Sequence, residues 1–162
     1  MATVRWLYGQ TNPVMVPFGA SQVLTVGDVC AIDASGNLYR AEDETWNTDE
    51  ATTRAAFITK FAGITGQSKR TGDTKPYGNS ANLARVDTLG VFEADLDTAT
   101  TLIAGVDLVG PAKAAGNALL SQTVKKVTSS GETHAIGTVV EGGTNLTRVK
   151  FSLRSTKFLA SK

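Results

Sequence analysis

The longest run of strict alternation in the chain extends from Ala84 to Leu96. Ala84, Val86, Thr88, Gly90, Phe92, Ala94 and Leu96 share one parity, and Arg85, Asp87, Glu93 and Asp95 share the other. That two-residue period is the signature of an extended strand with one buried face. Gly90 interrupts it, and a glycine inside a strand marks a bend or bulge, so the pattern predicts a barrel corner there. Leu89 and Val91 fall on the charged side and form a small apolar spot framed by charge, as in a subunit contact or a patch beneath a loop of the same chain. Near the C-terminus the alternation is cleaner still. Val149, Phe151 and Leu153 are expected to point inward, and Arg148, Lys150, Ser152 and Arg154 outward.

Shorter patterns fill the rest of the chain. Val23 to Ile32 and Leu38-Tyr39 flank Asp33-Ala34-Ser35-Gly36-Asn37, whose residues supply hairpin-turn chemistry, and Gly27-Asp28 predicts a tight turn just before a core strand. One helix is predicted, over Thr48 to Phe61. Asn47 is its expected N-cap, Trp46 and Ala51 are placed for a hydrophobic staple, and Ala51, Ala55 and Ile58 form a stripe with Phe57 and Phe61 beside them. Thr65 to Asn82 carries four charges, three glycines and a proline, and predicts a long polar loop. Between Thr100 and Ser129, short apolar runs are separated by Gly105, Gly110-Pro111 and Gly116-Asn117, which predict short strands and tight turns. Ala135 to Val140 and Leu146 to Leu153 then read as a final hairpin.

Residues 1–21 have a different character. Val4, Trp6, Leu7, Tyr8, Val14, Val16 and Phe18 are broken up by Gly9, Pro13, Pro17 and Gly19. The prolines and glycines oppose a helix, and the apolar side chains oppose a solvated tail. The segment therefore reads as an extended arm that docks on a surface, or else as a first strand of its own domain.

Composition narrows the function classes. Sixteen basic residues against fifteen acidic ones argue against affinity based on neutralising nucleic-acid phosphates. Cys30 is the only cysteine, which excludes an intramolecular disulfide and a cysteine-based zinc site, and it reads as a small buried side chain. No stretch approaches the roughly 20 apolar residues of a membrane span. His134 is the only histidine and reads as a surface or strand-end residue. No GxSxG elbow, HExxH, phosphate-binding loop or dinucleotide fingerprint is present. Glu93, Asp95 and Asp97 form a row of carboxylates that suits a solvated edge or a basic neighbour better than a calcium loop, which needs a glycine at a fixed place. No cofactor, nucleic-acid or membrane partner is expected.

The order of Gly27-Asp28-Val29, Phe61-Ala62-Gly63-Ile64, Gly90-Val91-Phe92-Glu93, Ala104 to Val109 and Ala135 to Val139 resembles the capsid decoration (cement) proteins of tailed bacteriophages. The resemblance implies a β-rich, non-catalytic protein made in the host cytoplasm. It would sit on the outer capsid surface, often as a homotrimer, and lock neighbouring subunits of the major capsid protein together. The expected fold is mainly β: a compact β-barrel or β-tulip-like domain over residues 22–162, with one short α-helix and an extended arm over residues 1–21. Trp6, Leu7, Tyr8, Val14, Val16 and Phe18 are the expected capsid-binding residues. Leu89, Val91, Glu93, Asp95, Arg148, Lys150 and Arg154 are the expected subunit contact, with the basic side chains meeting Glu93 and Asp95 of a neighbour or the capsid itself. A tail, fibre or other virion adaptor is the alternative, and a small hydrolase or carbohydrate-binding protein is a third class.

Overall fold

The long alternating run serves two sheets rather than one. In the computed structural model, which describes residues 4–19, 21–79, 81–127 and 134–158, it divides into β6 (Leu83–Asp87) and β7 (Leu89–Leu102). The break falls at Thr88. Its backbone N–H donates to Thr11 O at 2.8 Å and its hydroxyl to Asn12 O at 2.8 Å, so two carbonyls from the N-terminal segment hold the corner. Gly90, with φ of 119°, lies two residues later, where a Cβ would come within 3.3 Å of the Trp6 indole and the Phe92 ring. Parity survives the corner: Ala84, Val86, Phe92, Ala94 and Leu96 are all buried.

The other strands are β1 (Arg5–Tyr8), β2 (Val14–Pro17), β3 (Val29–Ile32), β4 (Leu38–Arg40), β5 (Phe61–Thr65), β8 (Leu108–Lys113), β9 (Leu119–Val127), β10 (Gly137–Val139) and β11 (Gly143–Arg154). One sheet has the order β1-β7-β11-β10-β8-β9, and a parallel pairing of Asp95-Leu96 with Thr123-Val124 joins β7 back to β9. Five strands thus close into a barrel, with β1 hydrogen-bonded to the outside edge of β7. The mainly β expectation holds. Phe92, Ala94, Val109, Leu119, Val124, Val139, Val149, Phe151 and Leu153 fill the interior, and Phe92 stacks with Phe151 at 6.4 Å between centroids. Gly110-Pro111 lies within β8 instead of forming the expected turn.

The second sheet, β2-β6-β5-β3-β4, is antiparallel throughout. Val29, Ala31, Phe61 and Ile64 join the barrel's apolar cluster, while Cys30, Ala62, Ala84 and Val86 form a second cluster with Val16, Phe18 and Leu24. Both sides of this sheet are therefore covered. The β3–β4 turn is built as its composition predicts, with Asp33 Oδ1 accepting from the N–H groups of Ser35 and Asn37.

Two further expectations are corrected here. The helix α1 is Glu50–Ile58, shorter than predicted, and Asp49 rather than Asn47 caps it by accepting from Thr52 N at 2.7 Å. Ala51 is exposed, and the buried face comprises Thr53, Arg54, Phe57 and Ile58, with Arg54 Nε donating to Pro111 O at 2.8 Å. Phe61 belongs to β5. The polar stretch after Thr65 is a loop, as expected, and it is pinned by Lys69, 1% exposed, which pairs with Leu24 through two backbone hydrogen bonds and donates from Nζ to Gln22 O at 2.8 Å.

The second correction concerns residues 1–21. Val16 and Phe18 are 3% and 2% exposed beneath the second sheet, so they are core rather than capsid-facing residues. Arg5–Tyr8 and Val14–Pro17 pair with β7 and β6 respectively, so the described part of the segment is two edge strands of the chain's own sheets. The physical reason is simple: β6 and β7 diverge at Thr88, and one chain segment spans the gap and adds a strand to each.

Candidate functional site

Antiparallel pairing of β7 with β11 sets Leu89 opposite Arg154, Val91 opposite Ser152, Glu93 opposite Lys150 and Asp95 opposite Arg148. Directly opposed residues project to the same side of a sheet. Phe92 and Ala94, on the other parity, fill the barrel, so Leu89, Val91, Glu93, Asp95, Arg148, Lys150 and Arg154 all lie on its outer face. The face continues onto β1. A shift in register between Trp6 and Tyr8 sets Tyr8 opposite Val91 and Arg5 opposite Glu93. Tyr8 is 53% exposed beside the half-buried Val91.

The charges on this face are satisfied within the chain. Glu93 Oε1 accepts from Arg5 Nη2 at 2.6 Å and lies 3.0 Å from Arg148 Nη1, while Arg148 Nε donates to Asp95 Oδ1 at 2.7 Å. Lys150 Nζ donates to Glu141 at 2.5 Å. The hydrogen bond it donates to Asp95 raises the pKa of Arg148, and the one donated to Glu141 raises the pKa of Lys150. Acidic and basic residues expected to meet across two subunits thus already meet in one, because register sets them side by side. Arg154 is the exception. Its guanidinium has no partner among the described residues.

Of the six expected capsid-binding residues, Trp6 and Tyr8 are exposed, Leu7 and Val14 are half-buried, and Val16 and Phe18 are buried. The register shift sends Trp6 and Tyr8 to opposite sides of β1, so the six do not form one surface. Arg5 was missed as a member of the outer face. Its position one residue before Trp6 was a usable signal, since alternation would place the two on opposite sides.

Candidate chemistry elsewhere is sparse. The acidic row is occupied by arginine and lysine: Asp97 lies 3.9 Å from Lys125, and no group of three metal-ligating side chains occurs among the described residues. Cys30 is buried, and burial pushes its thiol pKa well up, as suits a packing residue. His134 is buried rather than at the surface, and its Nδ1 lacks a hydrogen-bond partner among the described residues. Among the described residues, no helix is long and apolar enough to cross a membrane.

Two cavities stand out among the described residues. One of about 380 Å³ lies between α1 and β10, lined by Ala55, Ile58, Leu108 and Ile136, with Arg154 at its margin. The other, about 660 Å³, opens between the barrel and the second sheet beneath the loop joining β1 to β2. No protein-family profile matches the sequence, and no curated protein is significantly similar to it.

Proposed function

We propose that this is a non-catalytic virion structural protein that binds the outer capsid surface of a tailed phage and joins neighbouring capsid subunits, acting as a homotrimer. One observation carries the reading: seven residues expected at a contact share a single outer face of the barrel, which β1 extends with Tyr8. Tyr8, Leu89 and Val91 give that face an apolar centre, and Arg5, Glu93, Asp95 and Arg148 give it a charged frame whose internal pairing costs little to bury at a rim. The ordered resemblance to cement proteins supports the same role. An interface of ordinary size buries roughly 800 Å² on each partner, and β1, the terminal strand of its sheet, extends the patch with its unpaired edge.

Sedimentation with capsids that lack the protein tests this. The wild type should co-sediment at a fixed ratio to shell subunits, and the double variant Tyr8→Ser, Val91→Thr should bind at least about tenfold more weakly with unchanged melting. Binding to tails instead of shells would favour the adaptor. A wild type that stays in the supernatant, or a variant that saturates shells normally, would overturn the proposal.

A further inference from the structure

The cleft beneath the β1–β2 loop has a volume of about 660 Å³, within the range of about 300–1,000 Å³ usual for small-ligand pockets. Val4, Ile64 and Phe92 line it with apolar surface, and Trp6, 51% exposed, adds an indole. Polar groups converge from the other side. Asp87 and Arg85 come from β6, and Gln10, Thr11 and Asn12 from the loop.

The loop is fixed before any ligand arrives. Thr11 O accepts from the N–H groups of Thr88 and Leu89, Asn12 O accepts the Thr88 hydroxyl, and Asn12 is held at φ of 40°, a conformation rare for residues other than glycine. The side-chain amides of Gln10 and Asn12 have no hydrogen-bond partner among the described residues.

Charge identifies the ligand class. Arg85 Nη2 lies 3.1 Å from Asp87 Oδ1, and Arg5, which also lines the cleft, is paired with Glu93 at 2.6 Å. With its cations and anions already matched, the cleft has no net attraction for a phosphate or a metal ion. It offers a flat aromatic surface beside planar amide, carboxylate and guanidinium groups. Pyranose rings present the matching chemistry: an apolar C–H face that stacks on indole, and vicinal hydroxyls that donate to and accept from planar polar side chains. We propose that this cleft binds a neutral saccharide, with Trp6 stacking on the ring and Gln10, Asn12 and Asp87 taking its hydroxyls. The inference does not depend on a role in the virion.

Trp6 and Trp46 are the two tryptophans, so Trp46→Phe leaves Trp6 as a single fluorescent reporter in the cleft. Titration with glucose, galactose, mannose, N-acetylglucosamine and their disaccharides should give a saturable change for at least one, with Kd of about 1 mM or tighter. Glucose 6-phosphate should not bind better than glucose. Gln10→Ala combined with Asn12→Gly, which keeps the loop's backbone conformation accessible, should weaken binding at least about tenfold without shifting the melting transition. Lack of a saturable response to every neutral sugar up to about 50 mM would overturn the proposal. So would an undiminished response in the double variant, or tighter binding of the phosphorylated sugar or of an extended peptide.

Discussion

Gln122 Nε2 donates to Asp28 Oδ1 at 2.8 Å, joining barrel strand β9 to the tight turn that precedes β3. The other carboxylate oxygen accepts from Thr25 N at 2.7 Å, and Gln122 also reaches Val26 O at 3.3 Å. A buried carboxylate thus sits between the two sheets and depends on one partner from each side. Gln122→Ala should destabilise the protein by about 1–3 kcal/mol, because it leaves one oxygen of a buried charge unsatisfied. Urea denaturation followed by tryptophan fluorescence measures this, and a loss well below that range would mean that water replaces the amide.

The same carboxylate predicts a pH dependence. Burial pushes the Asp28 pKa above the usual carboxylate range, with the bonds from Gln122 and Thr25 opposing that shift. A carboxyl whose folded pKa exceeds its unfolded value holds its proton more tightly when folded, so ionisation works against folding. That cost is absent below about pH 3.9, grows as pH rises through the interval up to the folded pKa, and is constant above it. Asp28→Asn abolishes the titration. Relative to wild type, the variant should therefore become more stable as pH rises from about 3.5 towards neutrality, whatever constant offset its altered hydrogen bonding introduces. Asp87, also raised by burial, is present in both proteins and cancels in the comparison. Melting temperatures across that range check the sign, and a stability gap independent of pH would refute it.

Lys69 gives a third prediction. Its Nζ donates to Gln22 O and lies 5.5 Å from the centroid of the Phe18 ring, in the cover over the second sheet. Lys69→Met keeps the length and apolar stem but removes the ammonium. The expected loss is about 1–3 kcal/mol, since the Gln22 carbonyl loses a charged donor and the Phe18 face loses a cation. Chemical denaturation should show it as a lower midpoint with an unchanged slope.

These residues also show how far the sequence could be followed. Parity alone located the buried faces of β7 and β11, because side-chain direction in a strand is local, and the same rule brought the seven outer-face residues together. Gly90 signalled a corner, but nothing local signalled the switch of sheets at Thr88, two residues earlier. It is imposed by carbonyls of Thr11 and Asn12, more than 70 residues earlier in the chain. Lys69 is one of the four charges of the predicted polar loop, and its burial was not legible because nothing nearby in sequence announces Gln22 or Phe18. Arg148 looked available to a neighbouring subunit because charge pattern cannot distinguish a partner on the adjacent strand from one on another chain.

The N-terminal segment yields the last prediction, and it reverses what its prolines and glycines suggest. A free arm could be removed without harm to the fold. Here Val4, Val16 and Phe18 are buried, β1 and β2 each contribute a hydrogen-bonded edge, and Thr11 and Asn12 hold the Thr88 corner. Full burial of such side chains contributes about 1.5–3 kcal/mol each, so three of them alone approach the whole stability of a typical domain. Deleting residues 1–20 should therefore abolish the cooperative melting transition seen by circular dichroism. Gly27→Ala makes the same test without shortening the chain. Gly27 has φ of 94°, and a Cβ there would lie 2.3 Å from Val4 O, so the substitution must push β1 away from the turn below it. It should cost more than about 3 kcal/mol and expose the segment to protease before global unfolding. A truncated protein that melts like the full chain, together with a Gly27→Ala variant of wild-type stability, would show that the barrel and second sheet hold together without their N-terminal strands.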